Sequence, residues 1–192
     1  MFEYISGKLD SVTPATAVVD CGGVGYLMEI TLTTYSAIQH QQDVRLWVHE
    51  IIREDAHQLY GFYSVAEREM FRLLISVNGV GAATARMMLS SLTVEEVQDA
   101  IARQDAKLVQ RVKGVGAKTA QRIVMELQDK VGLGGQLALA GGQPLAVSKN
   151  KEEALGALVM LGFPKAAADK VLQPLDASLS VEALIKEALK RL

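Results

Sequence analysis

Two glycine-rich octets, Gly79-Val-Gly-Ala-Ala-Thr-Ala-Arg86 and Gly114-Val-Gly-Ala-Lys-Thr-Ala-Gln121, stand 35 residues apart in this 192-residue chain. The frame around them repeats as well: Leu74-x-x-Val77-x-Gly79 opens the first copy and Val109-x-x-Val112-x-Gly114 the second. Each copy reads as a helix, a hairpin that glycine makes tightly, and a second helix starting at the turn. Glycine tolerates positive φ and lets another backbone come close. The following helix begins with unbonded N–H groups and a partial positive charge, which suits a phosphate. Two such turns at a fixed offset fit two phosphates of one nucleic-acid backbone and read no bases. Gly79, Val80, Gly81, Gly114, Val115 and Gly116 form the candidate turns, with Arg86, Lys113, Lys118 and Arg122 as cations beside them. A bland alternative stays open, in which the glycines only cap packed helical hairpins.

A second group points to a different role. Arg53-Glu54-Asp55-Ala56-His57 places two adjacent acids between β-rich runs. On its own that is a soluble turn. Beside a phosphate grip, Glu54 and Asp55 would repel continuous duplex and tolerate a point where strands diverge.

The elements that must carry these groups fall into three zones. Residues 1–63 hold eight of the ten aromatics and five β-rich runs: Phe2–Leu9, Ala15–Asp20, Gly25–Thr31, Val44–Ile52 and Gln58–Tyr63. Cys21-Gly-Gly23 reads as a tight turn between the second and third. Five short strands in so few residues predict a barrel of OB-fold type. Residues 64–131 are helical in pattern. Capping boxes are expected at Ser64-x-x-Glu67 and Thr93-x-x-Glu96, and Met87, Met88 and Met125 are expected as core or interface filler. Residues 132–148 read as a flexible Gly-rich linker. Residues 149–192 predict three short helices, Lys151–Leu161, Lys165–Leu172 and Val181–Leu192, with a Gly162-Phe163-Pro164 turn. Leu-Gly-Phe there resembles the turn of ubiquitin-associated-type bundles. A tethered bundle of this kind suits protein docking, and Leu158, Leu161 and Phe163 are its candidate contacts. The class is therefore α+β and multidomain.

Charge follows the same zones. Residues 1–63 carry 3 basic against 8 acidic side chains, and residues 64–131 carry 10 against 8. Ala102–Arg122 holds six cations, Arg103, Lys107, Arg111, Lys113, Lys118 and Arg122, with Asp105 as its one acid. Positive charge thus gathers at the second hairpin, where the motif expects phosphate. One cysteine, Cys21, suits a reducing compartment. The first residues lack the basic and apolar regions of a signal peptide, and the longest uncharged run, Val131–Ser148, has a linker's composition rather than a membrane span's.

Several chemistries find no residues. Lys118 stands where helix-hairpin-helix glycosylase/lyases place an amine nucleophile, but no acid follows Asp129 until Glu152, so it reads as a phosphate contact. Ligase-type Lys-x-Asp-Gly and Walker A motifs are absent, and His40, His49 and His57 have no zinc-finger spacing. No catalytic residue, metal or cofactor is expected, and any ATP-driven motion must come from a partner. A protein adaptor without DNA binding is the remaining alternative.

Residues 69–128 match the tandem helix-hairpin-helix family. Val24–Tyr26, Arg53–Phe62, the Asn78-Gly-Val-Gly81 and Lys113-to-Ala120 hairpins, the linker and the last zone together resemble the RuvA family of bacterial Holliday-junction branch-migration subunits. The resemblance spans the chain in order. It implies a homotetramer, alone or paired, that holds a four-way DNA junction open and square. In that family the hairpins grip the minor-groove backbone, and the acidic loop, here Glu54 and Asp55, forms a central pin. The third domain binds RuvB, a hexameric ATPase, and the RuvC resolvase acts on the same junction. A cytoplasmic, nucleoid-associated role in recombination, repair of DNA damage and the SOS response is implied. One departure is Gly81-Ala-Ala-Thr84, where many relatives carry Lys just after the turn.

Overall fold

The computed structural model describes residues 1–134, 146–176 and 179–192. Five strands, β1 (Tyr4–Val12), β2 (Thr16–Asp20), β3 (Gly25–Ile30), β4 (Asp43–Ile52) and β5 (His57–Phe62), close a barrel in the order β1-β2-β3-β5-β4. All pairings are antiparallel except β3 with β5, where Glu29 faces Tyr60 and Ile30 faces Gly61. Alternation fills the interior: Val44, Leu46 and Val48 of β4 point inward with Ile5, Val19, Met28 and Ile30. Closure demands a glycine at position 7, where a Cβ would sit 2.2 Å from the Asp20 carbonyl oxygen. The Cys21–Val24 turn forms as expected, with Gly22 and Gly23 at φ 68° and 92°.

A helix absent from the sequence reading, α1 (Leu32–Ile38), bridges β3 and β4. Its β-branched and aromatic residues mask it. It is specified instead by Thr31, whose hydroxyl accepts the Thr34 N–H.

The helices that follow are α2 (Val65–Ile75), α3 (Ala82–Ser91), α4 (Val94–Ala102), α5 (Ala106–Gln110) and α6 (Ala117–Gly134). The Thr93 box forms in full, with Thr93 and Glu96 exchanging side chain-to-backbone bonds. The Ser64 box forms by half. Ser64 accepts from the Glu67 N–H, but the Glu67 carboxylate turns away and accepts from the Thr31 and Thr34 hydroxyls at 2.5 and 2.8 Å. Tertiary partners win over the local cap. Burial pushes the Glu67 carboxyl above its ordinary range, against the two threonine hydroxyls, which lower it.

Barrel and hairpin helices share a core. Phe71 of α2 is fully buried against Phe62, Tyr60 and His49, with ring centroids 4.9, 5.2 and 5.4 Å away. Arg68, also buried, pairs with Glu3 and Glu69. The seam therefore combines aromatic packing with satisfied charges. Residues Met1–Leu139 form one compact unit and Ala140–Leu192 a second.

The second unit contains α7 (Ala146–Met160), α8 (Lys165–Leu172) and α9 (Val181–Leu189) around Ala154, Leu158, Leu172 and Leu184. Most of the expected linker lies outside the described residues. Of that stretch, 132–134 end α6 and 146–148 begin α7.

Candidate nucleic-acid interface

The two hairpins are built to one plan. α2 and α5 each end in a short run of i→i−3 bonds, and the turn then closes through Val80 N–H to Val77 O (3.0 Å) and Val115 N–H to Val112 O (3.1 Å). Gly79 and Gly114 sit at φ 90° and 91°, a region that penalises any side chain. Val80 and Val115 are buried beside Val77 and Val112, so their side chains anchor the turn. The next helices begin identically: Ala85 donates to Gly81 O and Ala120 to Gly116 O, both at 2.9 Å. The N–H groups of Ala82–Thr84 and of Ala117–Thr119 precede those first helical bonds and have no intrahelical acceptor. Gly81 caps α3 with no side-chain bond.

The second glycine of each turn differs from the first in what the fold asks of it. Gly81 has φ −87°, open to every residue, and nothing lies within 4 Å of where its Cβ would be. Gly116 likewise faces open space. Capping explains Gly79 and Gly114. The N-cap place of Gly81 admits other residues as well, and the missing side chains of Gly81 and Gly116 leave open space beside the free N–H groups.

The four expected cations divide in two. Lys113 and Lys118 are exposed, without an ion-pair partner among the described residues. Arg86 is engaged: its guanidinium lies 2.6 Å from Glu29 of β3 and donates to Ala15 O at 3.2 Å. Arg122 donates to Asn78 O at 2.9 Å and lies 3.6 Å from Glu126. Lys107 and Arg111, exposed on α5 and its C-cap, extend the free positive surface around the second hairpin. The sequence signal for them was the basic run itself.

Glu54 and Asp55 occupy the tip of the β4–β5 hairpin. Arg53 and Ala56 exchange backbone bonds at 2.8 and 3.4 Å, which leaves the two acids as an exposed two-residue turn. Just below, His57 and Glu50 meet at 2.6 Å.

In the second unit the three expected docking residues separate. Leu158 is fully buried, so it belongs to the bundle core and cannot present a contact surface. Phe163 is half-buried against that core, after a turn in which Gly162 has φ 97°. Leu161 is exposed, beside Met160, 90 % exposed, and Val159. Met160 was not among the residues expected from the sequence. Among the described residues no group of three His, Cys, Asp or Glu side chains is placed to hold a metal, and no helix is long and apolar enough to cross a membrane.

Comparison with known proteins agrees with this layout. Residues 1–61 match the family described as RuvA N terminal domain, 71–129 the SAM-like Helix-hairpin-helix tandem, and 149–192 the RuvA, C-terminal domain. The chain is 46 % identical over 201 residues to a Bacteroides fragilis protein named Holliday junction branch migration complex subunit RuvA. Proteins of the same name from Bacteroides thetaiotaomicron and Christiangramia forsetii are 47 % and 46 % identical. In each case all of this chain and all of the relative are covered.

Proposed function

The chain belongs to the RuvA family, and on that premise we propose that it binds four-way DNA junctions by structure rather than sequence, as a non-catalytic subunit of a branch-migration complex. The observation that carries the reading is the open space at Gly81 and Gly116. A phosphate can approach the free N–H groups of α3 and α6 there, and a Cβ would stand in its way. Lys113 and Lys118 supply charge at the second turn. Contacts of this kind meet the backbone alone, so binding is sequence-independent.

One helix-terminus contact is worth on the order of 0.3–1 kcal/mol. Two hairpins in one chain bind weakly, and tight binding follows from several chains on one junction through effective concentration. A homotetramer, single or paired, provides this. Glu54 and Asp55 face the centre, where strands diverge and no continuous backbone crosses. The second unit docks the RuvB ATPase through the surface around Met160 and Leu161, and RuvC meets the same junction. The site of action is the bacterial cytoplasm, on the nucleoid, in recombination and repair.

The test is a gel-shift titration of the full chain with a four-way junction and a linear duplex of equal length, under excess competitor DNA. Strong junction preference is expected. Equal affinity would reduce the chain to a general duplex binder and remove the role of the acidic turn.

A further inference from the structure

Arg122 lies on α6, the helix that follows the second turn, yet its guanidinium reaches the first turn. Its Nη1 donates to the Asn78 carbonyl at 2.9 Å, and it is the nearest atom, at 3.9 Å, to where a Cβ on Gly79 would sit. Glu126, one helical turn along, lies 3.6 Å from its Nε and directs the fork. Farther along α6, Lys130 Nζ lies 3.4 Å from Ser76 Oγ at the end of α2. Nothing matches this in the repeat: the position equivalent to Arg122 in the first copy is Met87.

We propose that Arg122 is a positioning residue, a staple that fixes the first hairpin turn relative to the second and so sets the spacing of the two phosphate sites. The side chain keeps part of its surface exposed, but its Nη1 donates to a backbone carbonyl and its Nε lies in ion-pair range of a carboxylate, so the arginine acts through hairpin 1. The carbonyl it holds belongs to the residue just before Gly79, and pinning that peptide limits rocking of the turn whose N–H groups face the ligand. Arginine is required by reach and by its fork. Lysine keeps the charge, but its ammonium ends one bond short and has one centre to divide between Asn78 O and Glu126.

Two measurements separate the staple from a phosphate contact. The first needs no DNA. In the full chain carrying Arg122→Lys, exchange of the Val80 amide, which closes the first turn, is expected to rise about tenfold, or about 1.4 kcal/mol of opening free energy. The Val115 amide, its counterpart in the second turn, should stay at its wild-type rate as the internal control. Unchanged exchange at Val80 overturns the proposal. The second rests on the junction-binding reading: Arg122→Lys should weaken junction binding about tenfold with the salt slope unaltered, because no phosphate contact is lost. Wild-type affinity in Arg122→Lys, together with a salt slope smaller by about one in Arg122→Ala, is the signature of a direct phosphate contact and also overturns it. A wild-type chain with no junction preference defeats the junction reading alone, while the exchange measurement still decides the staple.

Discussion

The two hairpins share a backbone almost bond for bond but differ in what surrounds it. The first is built into the protein: α2 packs Phe71 on the barrel, Glu67 and Arg68 bind barrel residues, Arg86 pairs with Glu29, and Arg122 holds Asn78 O. The second carries free charge, with Lys113 and Lys118 exposed where the first has Asn78 and Ala83. Under the proposed junction-binding function, one geometry thus serves two purposes: hairpin 1 would fix where the DNA lies against the barrel, and hairpin 2 would supply most of the electrostatic attraction.

The largest effect that would break this contrast comes from Lys113→Ala with Lys118→Ala. Junction affinity should fall tenfold or more, and the salt slope should lose about one for each phosphate contact removed. An unchanged slope, from titrations at several salt concentrations, would strike both lysines from the interface.

Next in size is the acidic turn. Glu54→Gln with Asp55→Asn should raise linear-duplex affinity several-fold relative to the junction, since charge repulsion at the centre is lost while the turn's backbone bonds remain. A constant ratio of the two affinities would leave the pair as an ordinary turn.

Ala83→Lys installs in hairpin 1 the cation that hairpin 2 has at Lys118. It should steepen the salt slope by about one and tighten binding a few-fold. If nothing changes, hairpin 1 does not reach a phosphate.

The smallest effect concerns the seam that holds hairpin 1. Glu67 has its folded-state pKa raised by burial, so the folded protein favours the protonated form more than the unfolded chain does. The unfolded chain then binds fewer protons across that window. Stability from this group is present below the ordinary glutamate value, is lost as pH rises through the raised value, and is flat above it. Glu67→Gln should flatten that slope in denaturant titrations between acidic and neutral pH. An identical pH profile would mean the carboxyl does not titrate in this window.

Much of this was legible in the sequence, for identifiable reasons. The barrel followed from five β-rich runs packed into residues 1–63 and from the Cys21-Gly-Gly23 turn, and the hairpins from a repeat whose frame residues, Val77 and Val112, are buried. Helix α1 was hidden because its signal is a single capping threonine whose second partner, Glu67, lies 36 residues away. The same long-range bond spoiled the Ser64 box. Arg86 and Arg122 looked like free cations because nothing local marks Glu29 or Asn78 O as their partners. Leu158 misled for the opposite reason: an apolar residue near a turn reads the same whether it faces the core or a partner.

The most direct test of the account uses the glycines that the fold itself does not require. A chain carrying Gly81→Ala and Gly116→Ala should melt within a few degrees of the wild type, because each new methyl enters open space at an ordinary backbone conformation. Its junction affinity should fall by at least about tenfold, or about 1.4 kcal/mol, as the methyls block phosphate approach. Retained junction binding in a folded variant would contradict the assignment of these turns to DNA, and a collapse in melting temperature would return both glycines to the fold.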